Sequence, residues 1–441
     1  MTGTRRLDTD VDVLDARVTF SPIELGRPFA ISGRTIAWFT MAVVEVDVRD
    51  RLGTVASGRG ATILSVPWAW PRSELSVERR DQVLRALTAR LADDACAAPP
   101  SDPIRRWLDA HATLAETAAK VAAAAGGVDP VPSLAALLAL GAVDNAVHDG
   151  WARAAGRPAH TMYTGRYLHD DLGVVSGGRM SGRWPGDFLV PARSRVPVQH
   201  VVGVGDPLEP AETADGERSL REWLGADGVR HLKVKVRGAD VDDDARRIEA
   251  VWRLGHGLGV DVALAVDPNE GYESAADVFR LLDVLERSAP AARRALAYVE
   301  QPVPRDATPD PDGLTRVGRL APVVMDEGLV DPRAVHGLRE RGWSGVAIKA
   351  GKGHSAALLA HAVAKAAGLY VTVQDLTAVD LAFVHSARLV SLLDLPSPHL
   401  EYNSRQYAPA ANQALGGVWP DLTTVRDGGV TVPPPSQPGL Y

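Results

Sequence analysis

Of the 48 lysine and arginine side chains in this 441-residue sequence, only six are lysines: Lys120, Lys233, Lys235, Lys349, Lys352 and Lys365. Arginine serves almost everywhere that a generic surface cation will do. Lysine should survive where arginine fails, which is where a side chain must give up its proton, because a guanidinium stays charged in proteins and a buried ammonium need not. Two of the six form Lys233-Val-Lys235 inside the apolar run 231–236, and Lys349 closes the run Gly345-Val-Ala-Ile-Lys349 with Lys352 just beyond. The chemistry to expect is proton transfer.

The carboxylates fall into a pattern that matches. Short apolar runs at 196–204, 230–236, 261–267, 297–300, 321–326, 345–349, 369–375 and 398–402 alternate with amphipathic helical stretches such as 240–258, 273–287, 331–341, 354–367 and 378–393. Eight strands separated by helices predict a closed parallel βα-barrel, and no G-x-G-x-x-G follows a strand. Almost every run from the second on ends in an ionisable residue: Lys235, Asp267, Glu300, Asp326 with Glu327, Lys349, Asp375 and Glu401. In such a barrel the C-terminal strand ends form the mouth where chemistry is done, so these residues should converge. Asp267, Glu300 and Asp326 sit on neighbouring strands and suit a hard divalent cation such as Mg²⁺, which takes oxygen ligands and keeps open positions. Period two puts Lys233 and Lys235 on one face, inward, where the carboxylates supply the counter-charge that buried amines need. Lys352 and Lys365, in a loop and on a helix, read mainly as surface residues. His354, His361, His385 and His399 lack ligand spacing and read as surface or packing residues. Asp375, Glu401 and Lys352 are possible substrate contacts.

Upstream, 37–48 and 54–63 read as two strands joined at Arg51-Leu-Gly53, followed by helices over 76–98, 104–125 and 133–155. The division expected is an α+β domain over 1–156, completed by the tail 403–441, then a long connection over 157–196 and a barrel over 197–402. The tail carries one strand-like piece and should return to the N-terminal domain. A hydrophobic share of 46% with 23% charged side chains provides material for a large core. The formal charge of −7 argues against nucleic acid or an anionic membrane as partner. The lone cysteine, Cys96, rules out an internal disulfide or a cysteine metal cluster and fits a reducing compartment. The first ten residues lack a signal-like apolar stretch and 131–143 is too short to span a bilayer, so the expectation is cytoplasmic.

In order along the chain, Lys233-Val-Lys235, Asp267-Pro-Asn269, Glu300-Gln-Pro302, Asp326-Glu327 and Ile348-Lys349-Ala-Gly-Lys352 resemble the enolase superfamily. Within its mandelate racemase/muconate lactonizing enzyme family, they are most similar to the muconate-lactonizing and dipeptide-epimerase-like branch. Residues 142–149 resemble the helix that closes the family's capping domain, and the resemblance spans roughly 18–401. It implies a capping domain on a (β/α)7β TIM-like barrel, with Mg²⁺ held by Asp267, Glu300 and Asp326 and bound to a small-molecule carboxylate. Asn269, Gln301 and Glu327 would orient the ligands or lysines. The shared step would be removal of the proton α to the carboxylate through an enediolate. Lys235 and Lys349 would act from opposite faces, while Lys233 tunes Lys235, lowers its pKa and helps neutralise the substrate carboxylate. A homo-oligomer is implied as well.

The sequence also departs from its relatives. A mandelate racemase would carry Asp in place of Lys349, and His where this chain has Gln374-Asp375. The D-x-D pair by which dipeptide epimerases hold an amine is missing from His399-Leu-Glu-Tyr402. Specificity would lie in the capping-domain loops, here Ser21 to Arg34 and Ser65 to Trp70, with Trp68 and Trp70 contacting an apolar substrate portion or packing the domain interface. Two opposed lysines allow a racemase or epimerase, a cycloisomerase, or a dehydratase or other lyase. One rival is a class I aldolase-like enzyme that uses Lys349 as a Schiff-base nucleophile, which leaves the three acids without a task. The other is a non-catalytic binding protein.

Overall fold

The computed structural model describes residues 6–31, 34–126, 129–214 and 217–441. The chain opens with a three-stranded antiparallel sheet of β1 (Val11–Ile31), β2 (Arg34–Asp50) and β3 (Val55–Leu64), in that order. Four helices follow: the single turn α1 (Val66–Ala69), α2 (Val77–Ala97), α3 (Pro103–Ala124) and α4 (Ser133–Ala154). Ser76 and Asp102 start α2 and α3 by accepting hydrogen bonds from Arg79 and Arg105 backbone N–H groups, the usual N-cap device.

The expectation of a loop over Ser21 to Arg34 was wrong. Ser21–Ile31 is the second half of β1, paired with β2 out to Ile31–Arg34, while 32 and 33 lie outside the described residues. Pro22, Gly26 and Pro28 hide the strand in the sequence. They are tolerated because β1 is an edge strand with a register shift between Glu24 and Phe29.

The barrel strands are β4 (Arg195–Val202), β5 (His231–Lys235), β6 (Ala263–Asp267), β7 (Leu296–Glu300), β8 (Val323–Met325), β9 (Gly345–Lys349), β10 (Tyr370–Gln374) and β11 (Leu400–Glu401). They pair in parallel in the order β10-β9-β8-β7-β6-β5-β4-β11. Side chains close the ring between β10 and β11, as the Asp375 backbone N–H donates to the Glu401 carboxylate at 3.2 Å. Of the helices expected between strands, 331–341 is replaced by a short 3-10 turn at Pro332–Gly337, bounded by a proline and a glycine. The connection 157–196 is ordered and well packed, burying Met162, Tyr163, Leu168 and Leu172.

The tail does two things. β12 (Gly429–Thr431) pairs antiparallel with β4 of the barrel, and then Leu440 N–H donates to Asp149 on α4 at 2.8 Å. Among the described residues no helix is long and apolar enough to cross a membrane.

Helix α4 joins the two domains. Its small residues let backbones touch: a Cβ on Gly60 of β3 would lie 2.3 Å from the Ala142 carbonyl oxygen, and one on Gly141 would lie 2.5 Å from that of Gly351. Gly351 belongs to the turn Ala350–Lys352 right after β9, so α4 braces the barrel mouth against the cap sheet. Gly60→Val should therefore overpack a contact that cannot give and cost about 3 kcal/mol. A lower urea midpoint at unchanged slope would show it.

Candidate active site

Alternation along β5 turns Leu232 and Val234 outward into the main core and Lys233 and Lys235 into the barrel, one layer apart. The same period stacks Ala265, Tyr298, Val324 and Ala347 as a packed floor. Two residues further on, Asp267, Glu300, Asp326 and Lys349 rise above it, all buried. Around the eight strands β5 and β9 are opposite, so Lys235 and Lys349 face each other. The three acids lie at the ends of the strands between them.

The amines are bonded to the acids. Lys235 Nζ donates to Asp267 Oδ2 at 2.5 Å and to Asn269 Oδ1 at 2.7 Å. Lys349 Nζ lies 3.1 Å from Asp326 Oδ2 and donates to the Asp375 carbonyl at 3.0 Å. Lys233 Nζ reaches across the barrel to Glu300 (3.0 Å), Gln374 Oε1 (2.9 Å) and Glu401 Oε2 (3.1 Å). Lys352 was misjudged from its loop position. It is 3% exposed, and its amine holds Asp326 through the carbonyl (2.6 Å) and Oδ1 (3.1 Å). The 3-10 turn Ala350–Lys352 folds it back into the site.

The expected orienting residues are in place. Asn269 (φ 45°) and Gln301 (φ 30°) sit in the left-handed region at sharp turns after β6 and β7. Gln301 Oε1 accepts from the Asp326 and Gly328 N–H groups at 3.0 and 3.1 Å, tying β7 to the loop after β8. Glu327 Oε1 accepts from Asn269 Nδ2 (3.1 Å) and from the indole Nε1 of Trp68 (2.8 Å), so Trp68 touches the site as well as packing the interface. Sequence reasoning missed the neighbouring Arg305, paired to both Glu270 oxygens at 2.8 Å, which no motif marks.

Burial works against charge on every one of these groups, and the neighbours decide the outcome. Burial would discharge Lys233, but Glu300, Glu401 and Asp267 hold its pKa well above the ordinary value. Burial likewise disfavours the Lys349 ammonium, and Asp326 overrides it, raising the pKa. Each of these two ammoniums touches a carboxylate, which holds it charged. Lys352, by contrast, is lowered by burial. Glu327 and Asp375 are pushed up to about 7 by burial, with Asp326 and Glu401 respectively adding repulsion.

The residues fit a divalent cation in charge and donor chemistry. Six buried carboxylates (Asp267, Glu300, Asp326, Glu327, Asp375 and Glu401) face four buried lysines, so with every group ionised two negative charges are in excess. Glu300 Oε2 and Asp326 Oδ2 are buried with no aligned hydrogen bond, their charge met only by ammonium contact. Among the described residues no three acids or histidines converge closely enough to ligate an ion, since Lys233 and Lys349 stand between them.

The β1–β2 hairpin covers the mouth. Phe29, Ile31, Ile36 and Phe39 wall a cavity of about 40 Å³ whose other side is Lys235, Lys349, Asp375 and Glu401. Arg27 on β1 pins the hairpin to Asp206 after β4 at 2.8 Å, and Phe29 stacks on Tyr407 at 4.6 Å.

Residues 216–440 match the family model described as Enolase C-terminal domain-like. The chain belongs to the enolase superfamily. Among its superfamily relatives, the L-Ala-D/L-Glu epimerase of Bacillus subtilis (strain 168) is 28% identical over 268 residues, 58% of this chain and 61% of the epimerase. The N-succinyl-L-Arg/Lys racemase of Bacillus cereus is 27% identical over 194 residues, 44% of this chain and 40% of the racemase. The chain thus aligns with about three fifths or less of each curated relative's length. In three dimensions the match is broader. The substrate-liganded structure of the Bacillus subtilis epimerase superposes with a TM-score of 0.62 at 19% identity, covering 97% of this chain and 98% of that one. The superfamily barrel and its N-terminal cap are therefore the fold of this protein.

Proposed function

We propose that the protein is a racemase or epimerase that removes the proton α to a carboxylate with one of Lys235 and Lys349 and returns it with the other. The observation that carries this reading is their placement on opposed strands with Asp267, Glu300 and Asp326 on the strands between. Those three carboxylates would hold Mg²⁺, which when bound supplies positive charge for the second negative charge that grows on the substrate carboxylate. Around it Gln301, Asn269 and Glu327 fix the loops and the Lys235 amine. Lys349 gains a proton-holding partner in Asp326 and a positional one in the Asp375 carbonyl.

An N-acyl amino acid suits the site better than a free dipeptide. Glu401, the acid on the strand where dipeptide epimerases carry their D-x-D pair, is already engaged: Oε2 by Lys233 and the Asp375 N–H, and Oε1 by Asn403 Nδ2 at 3.3 Å. Of the two curated relatives, the one named as an N-succinyl-L-Arg/Lys racemase favours this choice and the one named as an L-Ala-D/L-Glu epimerase does not. A Schiff-base role for Lys349 would leave the buried Asp267, Glu300 and Asp326 around it without a task. The cavity of about 40 Å³ beneath the hairpin has room for little more than water.

The test is ¹H NMR in D₂O with N-succinyl amino acids, dipeptides, acid sugars and muconate. With Mg²⁺, at least one N-acyl amino acid should exchange its α-proton, and EDTA should stop the exchange. Failure of every acid to exchange with Mg²⁺ present would refute the reading, as would borohydride trapping that EDTA leaves unchanged.

A further inference from the structure

We propose that Trp68 of the capping domain is a positioning residue for both lysines, acting on each through a different part of its indole. The inference rests on the reading that Lys235 and Lys349 exchange protons with the substrate. The N–H edge works through a chain of bonds. Nε1 donates to Glu327 Oε1 at 2.8 Å, the same oxygen accepts from Asn269 Nδ2 at 3.1 Å, and Asn269 Oδ1 accepts from Lys235 at 2.7 Å. An amide has one donor end and one acceptor end, so anchoring the NH₂ group on Glu327 fixes the carbonyl toward Lys235. The ring face works directly: its centroid is 5.1 Å from Lys349 Nζ and 5.8 Å from Lys352 Nζ, within cation–π range.

Trp68 cannot drift independently of the barrel. It is 4% exposed, and its carbonyl accepts from Arg305 Nη2 at 3.3 Å while Glu270 holds that guanidinium. One cap side chain therefore sets two amines carried on opposite strands, and docking of the cap places both.

The two actions are separable. Trp68→Phe keeps a ring face and deletes the N–H, whereas Trp68→Leu deletes both. With only six lysines, the ¹³Cε and ¹⁵Nζ signals of the full, Mg²⁺-loaded protein can be assigned by NMR. In the wild type the Lys349 and Lys352 ε-protons should be shifted upfield by the indole ring current. W68F should move the Lys235 signals and leave most of that upfield shift. W68L should remove the shift as well. Lys120 and Lys365, which pair with Glu116 and Asp394 outside the site, report whether each variant has kept its fold. With an exchanging acid, W68F should slow exchange at the Lys235 face by about 10- to 100-fold and the Lys349 face far less. The proposal is overturned by an absent ring-current shift in the wild type, by an unmoved Lys235 in folded W68F, or by equal slowing at both faces. If the wild type exchanges no α-proton, the proposed function fails while the lysine signals still decide on Trp68.

Discussion

Lys349→Ala will lose α-proton exchange from one face of the substrate by about 10²- to 10⁴-fold, the range over which a positioned acid or base acts, while the other face continues to exchange. Lys235→Ala will show the mirror image. The argument is topological. The two amines stand on β9 and β5, four strands apart in a ring of eight, so an α-carbon between them presents opposite faces to each. A single-base enzyme would lose both faces with one substitution and neither with the other. A trivial cause, loss of the metal, predicts a different result. Lys349 sits 3.1 Å from Asp326 and 4.0 Å from Glu300, where its positive charge competes with a cation for the same oxygens. Removing it should leave Mg²⁺ affinity unchanged or tighter by calorimetry. Exchange from each enantiomer, followed separately in D₂O, is the measurement. Undiminished exchange from both faces in both variants would end the two-base assignment.

The barrel was legible because two independent signals coincide on almost every strand after the first: an apolar run and an ionisable residue at its end. Asp267, Glu300 and Asp326 could be picked out for that reason, each being the point where a period-two run meets the mouth. Lys352 follows no such run. A 3-10 turn brings it back onto Asp326, and the clues in the sequence were the rarity of lysine and its place in Ile348-Lys349-Ala-Gly-Lys352. The hairpin half of β1 was lost to Pro22, Gly26 and Pro28, local signals that an edge strand can ignore. The histidines read as surface or packing residues are packing residues, though the sequence does not say against what. His148, His354 and His385 are buried between α4 and the barrel helices 354–366 and 380–392, and His148 Nε2 lies 2.8 Å from Ser355 Oγ. Contacts between residues some 200 positions apart leave no trace in local spacing.

That same interface holds Asp144, for which a large pH effect is expected. Its carboxylate, on α4, accepts from the Ser355 N–H at 2.8 Å and from Ser355 Oγ at 2.6 Å, at the first turn of a barrel helix. His148 lies 3.5 Å away but makes no ion pair, since burial keeps its imidazole pKa well below the ordinary value. Burial pushes Asp144 up to about 7, more than the Ser355 bonds pull it down. Between about pH 4 and 7 the folded protein therefore keeps a proton that the unfolded chain has released. The associated stability is fully present below the unfolded pKa, falls as pH rises, and is gone above the folded pKa. Three pH units at 1.36 kcal/mol each amount to about 4 kcal/mol. Asp144→Asn cannot titrate, so its stability relative to wild type should climb by about that much from pH 4 to 7.5 and then level off. Taking the difference cancels the site carboxylates Glu327 and Asp375, which titrate in both proteins. Urea unfolding at several pH values measures it, and a difference that stays flat from pH 4 to 8 would mean that Asp144 is ionised in the folded interface throughout.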